Sequence, residues 1–377
     1  MGLFRLLLAL SVATSHFGGP YLIFNSRYAV QVFYIVSGFL ISMIIQTKYK
    51  GHTWLFYSNR ALRIFAPYWT VWVPTLVLTL IYKNFLGGGY YDNLYKILSN
   101  APNFNISTSI YVCVTNIIIF GQDLGMFLGY SPTKQLYLTS AFQKSEIPVW
   151  QFQLIPQAWT ISVELCFYLI APFLLRRPTI VLILILLISF LMRGLAYQHG
   201  LNQDPWTYRF FPFELAYFIL GGLTFRFSQF VILSHSHSRL SKGLSWVCTL
   251  TALSVLVAWS RWTGLLASWT VSGQPVILFL FCASCLPSLL KFSSYYSWDR
   301  WLGTLSYPVY LVHLSVSELL GTWIPLQIGS LNMSVAKPWV QLALTLIAAG
   351  LISFGVERPL DRVRARRLQK IVSIPSV

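Results

Sequence analysis

Residues 178–197 read Pro178-Thr-Ile-Val-Leu-Ile-Leu-Ile-Leu-Leu-Ile-Ser-Phe-Leu-Met-Arg-Gly-Leu-Ala-Tyr197. Arg193 is their one charge, and as a helix rising ~1.5 Å per residue they cross the ~30 Å hydrocarbon core of a bilayer. Working outward, eleven segments of this kind run over 3–24, 28–47, 64–86, 108–128, 157–175, 178–197, 208–228, 243–262, 268–287, 301–324 and 338–356. Of 377 residues, 56% are hydrophobic and only 10% charged, where a soluble globular domain carries about 25% charged residues. That excludes an ordinary soluble enzyme, a disordered chain and a secreted disulfide scaffold. The net charge of +17 would suggest nucleic acid in a soluble protein. Here Lys and Arg fall between apolar runs, so the lipid bilayer explains them and no nucleic-acid partner is expected.

The weakest segment, 108–128, is interrupted by Asn116, Gln122 and Asp123. With the N-terminus in the cytoplasm and this segment not crossing, 18 basic residues face inside and 9 outside; a crossing there reverses the bias to 11 and 16. The positive-inside rule therefore predicts an all-α polytopic protein of about ten spans in one bundle, both termini cytoplasmic. The outer region 87–156 then holds 108–128 as a re-entrant or surface helix, and the whole of 1–377 is one domain. The N-terminal run from Leu3 is expected to be a retained first helix, because no small-x-small cleavage site follows it. Four of the five cysteines lie inside apolar runs, and His235-Ser-His237 lacks companion ligands, so no metal site is expected.

Ionisable residues inside spans are costly and mark function by default. Here they are His16, Glu164, Arg193, Glu214, His313 and Glu318. Counting ~1.5 Å per residue from the span ends puts His16, Ser37, Glu164 and His313 at about 16–20 Å, one shared layer. Arg5 and His16, eleven residues apart, share a helix face with a height difference of about 16 Å. Arg60 and Arg63 are neighbours at i, i+3, and two planar guanidinium forks suit a phosphate or pyrophosphate. Each has a plainer reading: the arginines as positive-inside anchors, His313 as an interhelical hydrogen bond, Ser37-Gly38 as close helix packing, Trp159 and Tyr307 as ordinary aromatic packing. Glu357 beside Arg358 reads as a local salt bridge, and Arg193 as a structural partner for Glu164.

Arg5-(x10)-His16, Phe33-Tyr-Ile-Val-Ser-Gly-Phe-Leu-Ile41, Arg60-x-x-Arg63-Ile-x-x-Pro67, Trp159-Thr-Ile-Ser-Val-Glu-Leu-Cys-Phe-Tyr-Leu169, Leu302-Gly-Thr-Leu-Ser-Tyr-Pro-Val-Tyr-Leu-Val-His313 and Val356-Glu-Arg-Pro359 follow in order along the chain. Together they resemble the motif set of the membrane acyltransferase 3 family. The resemblance implies a ten-helix domain in the bacterial inner (plasma) membrane. It implies transfer of an acyl group, usually acetyl from acetyl-CoA, to a carbohydrate hydroxyl such as that of a polysaccharide or lipopolysaccharide. It gives His16 the essential role and Arg5, Arg60 and Arg63 the acyl-CoA donor, with no permanently bound cofactor. Gln31 departs from the pattern, standing where many relatives carry an acid or another polar residue, which leaves acceptor preference open.

Acyl transfer needs a base at the acceptor hydroxyl and exclusion of water, and imidazole titrates in the right range. His16 is expected to act directly as base with Glu164 orienting its ring, or to relay the acyl group itself. Ser37, Trp159, Tyr307 and His313 are the expected site lining. The rival class is a proton-coupled transporter or flippase of a lipid-linked sugar, with His16, Glu164 and His313 as its relay. Inverted repeats would favour that class, and no internal symmetry is evident.

Overall fold

Apolar runs fold into helices because a backbone without water must satisfy its own polar groups. The computed structural model describes residues 1–17, 24–86, 92–233, 239–261, 274–323, 327–328, 331–332 and 336–372. Its helices are α1 (Gly2–His16), α2 (Ser26–Thr47), α3 (Thr53–Leu86), α4 (Asp92–Asn100), α5 (Ile106–Ile118), α6 (Trp159–Leu174), α7 (Thr179–Gln198), α8 (Phe211–Leu233), α9 (Arg239–Arg261), α10 (Val276–Tyr295), α11 (Ser297–Trp323), α12 (Ala336–Ile352) and α13 (Arg358–Val372). A π-turn over Ser353–Glu357 joins the last two. Among the described residues seven helices are long and apolar enough to cross a membrane, against the ten crossings expected; α1 and α5 are apolar but shorter. With these helices in one polytopic chain, the protein is an integral membrane protein. His235 and His237 lie outside the described residues.

Two expected segments change. The re-entrant or surface helix expected over 108–128 is the shorter α5, whose 13 residues rise about 20 Å, too little to cross the ~30 Å core. The residues that interrupt it are stitched into the neighbouring chain. Asn116 donates to the Phe152 carbonyl and accepts from the Leu154 N–H, both at 2.8 Å. Ser162 of α6 donates to Asp123 at 2.6 Å and accepts the Gly121 N–H at 2.9 Å. The region is also not purely helical. Strands β1 (Leu128–Ser131), β2 (Gln135–Leu138) and β3 (Ile147–Pro148) form a small antiparallel sheet in the order β2-β1-β3. A two-residue pair, Gln327–Ile328 with Leu331–Asn332, adds another. The segment expected over 268–287 becomes α10, beginning at Val276 behind Pro275, whose ring lacks the N–H a continuing helix would need.

The core is built from close crossings. α2 packs on α8, α1 on α11, α11 on α12 and α7 on α8. The α2–α8 crossing requires glycine from both sides. A Cβ on Gly38 would stand 1.9 Å from the Phe218 carbonyl oxygen, and one on Gly221 would stand 1.9 Å from that of Ile35. Small residues let helix backbones approach in lipid, where dispersion rather than the hydrophobic effect holds them together. The packing reading of Gly38 is therefore the structural one.

Arg193 does not serve Glu164. Its guanidinium pairs with Glu214 of α8 at 2.6 Å and donates to the Thr207 carbonyl at 2.7 Å, with both charged side chains buried. Gln31 of α2 completes the site, its amide 3.3 Å from both Glu214 oxygens. Gln31 thus joins α2 to the α7–α8 ion pair. Removing one member of a buried pair strands the other charge, at a cost of about 3–5 kcal/mol. We expect Glu214→Ala to lower the unfolding midpoint in detergent sharply and Arg193→Met/Glu214→Leu to recover most of the loss, as followed by size-exclusion fluorescence after heating.

Candidate functional site

The site is hung on α1. The first helical N–H groups have no partner within their own helix, and Asp299 at the start of α11 supplies one, accepting from Gly2 and Leu3 at 2.8 Å each. A carboxylate at a helix N-terminus also meets the positive end of the helix dipole. This fixes α1 against α11 and so sets where Arg5 and His16 stand.

Arg5 lines a cavity of about 290 Å³ between α1, α2, α3, α6 and α11. Arg60 and Arg63 reach it from α3, Ser37 from α2, Glu164 and Tyr168 from α6, Tyr307 and Tyr310 from α11. Glu164 is the carboxylate of this arginine cavity, accepting hydrogen bonds from Ser37 and Tyr168 on one oxygen, Oε1. Tyr307 donates to the Ile64 carbonyl at 2.9 Å, pinning α11 to α3 just beyond Arg63. The opposite wall is apolar, with Val36, Leu40, Met43 and Ile44 along α2. The Nε of Arg60 is buried without a hydrogen-bond partner. Such a cavity offers planar cationic forks beside a greasy slot.

His16 opens into a second cavity of about 450 Å³. It is the last residue of α1 and exposed to that cavity. Around it stand Trp159, Tyr208, Arg209, Asn93, Lys96 and Glu318. Asp204 holds Arg209 through two hydrogen bonds, 2.6 and 3.0 Å, so that its guanidinium lies 4.2 Å from the centre of the Trp159 ring. Tyr208 stands edge-on to Trp159 at 5.0 Å. Val30 and Tyr310 line both cavities and form the shared wall; Tyr310 is fastened to Thr160 at 2.7 Å and to the Gln157 carbonyl at 2.9 Å.

His16, Ser37, Glu164 and His313, expected at one height, do not line one cavity. Ser37 and Glu164 belong to the arginine cavity, and Glu164 does not orient His16. The neighbour of His16 is His313, with ring centroids 5.3 Å apart. His313 is fully buried behind it and does not line the cavity. Its Nδ1 lies 2.7 Å from the Tyr310 carbonyl, which can only accept, so that nitrogen carries the proton; Nε2 is buried without a hydrogen-bond partner. Trp159 and Tyr307, expected together, line different cavities.

A third, smaller cavity of about 180 Å³ shares Arg5, Arg63 and Tyr307 with the first and adds Arg300, Arg364, Glu357 and Asp361. Glu357 faces these arginines, and Arg358 instead lies over the Phe354 ring at 5.2 Å. Sequence reasoning missed Tyr168, Arg209, Tyr310, Arg300 and Arg364. Only Tyr168 had a signal, lying four residues after Glu164 on the same helix face. Among the described residues no group of three or more His, Cys, Asp or Glu is arranged to hold a metal.

The acyltransferase domain family matches residues 1–358 of the chain. No curated protein and no solved structure matches it. Because α1 is seated by Asp299, Asp299→Ala is expected to cost about 1–2 kcal/mol, the range of a lost N-cap. The thermal midpoint in detergent should fall by a few degrees, while Asp299→Asn, which keeps an acceptor, should lose less.

Proposed function

The chain belongs to this membrane acyltransferase family, and from that premise we propose that it moves an acyl group, acetyl in the first instance, from acyl-CoA to a carbohydrate hydroxyl. Acyl transfer is the family's chemistry; the donor, the acceptor and the base are our reading. One observation carries it. A single helix, α1, presents a guanidinium to an arginine-lined slot near one end and an imidazole to a separate aromatic cavity at the other.

The two cavities suit the two substrates. An acyl-CoA has phosphates for Arg5, Arg60 and Arg63 and a long flexible arm for the apolar wall of α2, its thioester reaching the wall formed by Val30 and Tyr310. The His16 cavity offers a sugar the Arg209 guanidinium, stacked on Trp159, and the amide of Asn93 for its hydroxyls. In this reading the acceptor is a cell-surface or lipid-linked glycan, the arginine cavity opens to the cytoplasm and the His16 cavity to the outer side, in a bacterial plasma membrane.

The chemistry is direct. His16 takes the proton of the acceptor hydroxyl as its oxygen attacks the thioester carbonyl carbon. The C–S bond then breaks, and the departing CoA sulfur receives that proton from the imidazolium, leaving an ester and free CoA. His313 backs the ring of His16 in the role first given to Glu164. Glu164 acts elsewhere, as the counter-charge that keeps the arginines of the donor slot ordered through Ser37 and Tyr168.

The test is transfer of labelled acetyl from acetyl-CoA to endogenous glycan in membrane vesicles. Wild type should label the glycan, and His16→Ala at matched expression and matched elution in detergent should fall by at least about 100-fold, the low end for general acid–base catalysis. Full activity in His16→Ala would refute the role of His16, and a proton-driven flux of lipid-linked sugar without labelling would favour the transporter instead.

A further inference from the structure

The third cavity lies between α1, α3, α11 and the start of α13, against the donor slot. Four guanidiniums line it, those of Arg5, Arg63, Arg300 and Arg364, and they face two carboxylates, Glu357 and Asp361. Two positive charges are left over in a space of about 180 Å³. Like charges gathered in a concave, partly desolvated place repel and are retained where a multiply charged anion answers them.

The guanidiniums are also held in place. Arg300 donates Nη1 to the carbonyls of Ser293 and Ser294 at 2.6 and 3.1 Å, which ties it to the end of α10. Arg364 is ion-paired with Asp361 on its own helix. Its Nη1 is nonetheless buried with no hydrogen-bond partner, a donor whose desolvation costs about 1–3 kcal/mol while unpaired. The helix that brings Arg364 is itself fastened to α3: Arg367 donates to Ser58 and Asn59 at 3.1 Å each. These bonds place α13 beside the turn of α3 that carries Arg60 and Arg63.

From this geometry we infer that the third cavity is a phosphomonoester site, that Arg300 and Arg364 are its specificity residues, and that it takes the 3′-phosphate of the adenosine end of the acyl donor. The inference rests on the acyl-CoA reading of the neighbouring slot. A phosphomonoester carries a charge of about −1.5 to −2 at pH 7, which matches the two uncompensated cations. Its three equivalent oxygens suit forks arriving from different helices. The pyrophosphate, one ribose away, falls to Arg60 in the neighbouring slot, and Arg5 and Arg63, which line both cavities, lie between the two groups. An anionic lipid headgroup offers the same phosphate chemistry, so the experiment has to separate the two sources.

The protein in phosphatidylcholine nanodiscs is titrated with coenzyme A, with 3′-phosphoadenosine 5′-diphosphate and with ADP, for wild type, Arg300→Gln and Arg364→Gln. Wild type should bind the 3′-phosphorylated nucleotide at least tenfold more tightly than ADP. Each substitution should remove most of that preference while changing ADP binding less than twofold. Coenzyme A binding with no dependence on the 3′-phosphate, or a preference that survives both substitutions, would overturn the inference and leave the donor reading standing. Failure of wild type to bind coenzyme A at all would overturn the donor reading, and this inference with it. If instead the nucleotide preference is absent and the substitutions reduce retention of phosphatidylglycerol in mixed nanodiscs, the cavity reads a headgroup and the inference is wrong.

Discussion

Two backbone N–H groups on one carboxylate govern the layout of this molecule. Asp299 takes the first donors of α1, and losing such a cap costs about 1–2 kcal/mol, so α1 is held at the height where it is satisfied. Eleven residues separate Arg5 from His16 along it, which sets an imidazole about 16 Å from a guanidinium. Everything catalytic in the proposed scheme is measured along that helix. The crossing of α2 with α8 at Gly38 and Gly221 then fixes the wall opposite, bringing Ser37 to Glu164.

The buried charges follow two rules. Where a charge has only to be tolerated, it is neutralised on the spot, as Arg193 is by Glu214. Where guanidiniums gather in the donor slot and the third cavity, the neutralisation is incomplete, with Glu164 engaged by Ser37 and Tyr168 and only Glu357 and Asp361 set against four arginines in the third cavity. Incomplete satisfaction lowers stability and is found at functional sites, where the missing partner is a ligand. The same contrast separates the structural arginines from those assigned here to the donor.

Much of this was legible in the sequence because membrane insertion writes itself in long apolar runs. The helices from Tyr28, Gln157 and Pro178 lie within a few residues of their expected limits, and the i, i+3 spacing of Arg60 and Arg63 put both in one cavity. Arg5 and His16 stand on one helix, α1, and line separate cavities. Counting height from a span's end does not say which cavity a side chain enters. The imidazole stands at the end of α1 beside His313, and Glu164 lies with the arginines in the other cavity. Contacts between distant parts of the chain carry no local signal. Nothing in the order of residues says that Gln31 meets Glu214, that Arg209 in a loop covers Trp159, or that Arg364 joins Arg5.

Sidedness follows most directly from one helix serving two cavities. Sealed vesicles are oriented by labelling Arg366→Cys, on the exposed face of α13, with a membrane-impermeant thiol reagent, and labelled acetyl-CoA is then supplied on one side at a time. The proposed route predicts acylated glycan only when acetyl-CoA is on the side where residue 366 is labelled, with the product on the opposite side. Equal transfer from both sides, or transfer only from the side of the His16 cavity, would contradict it.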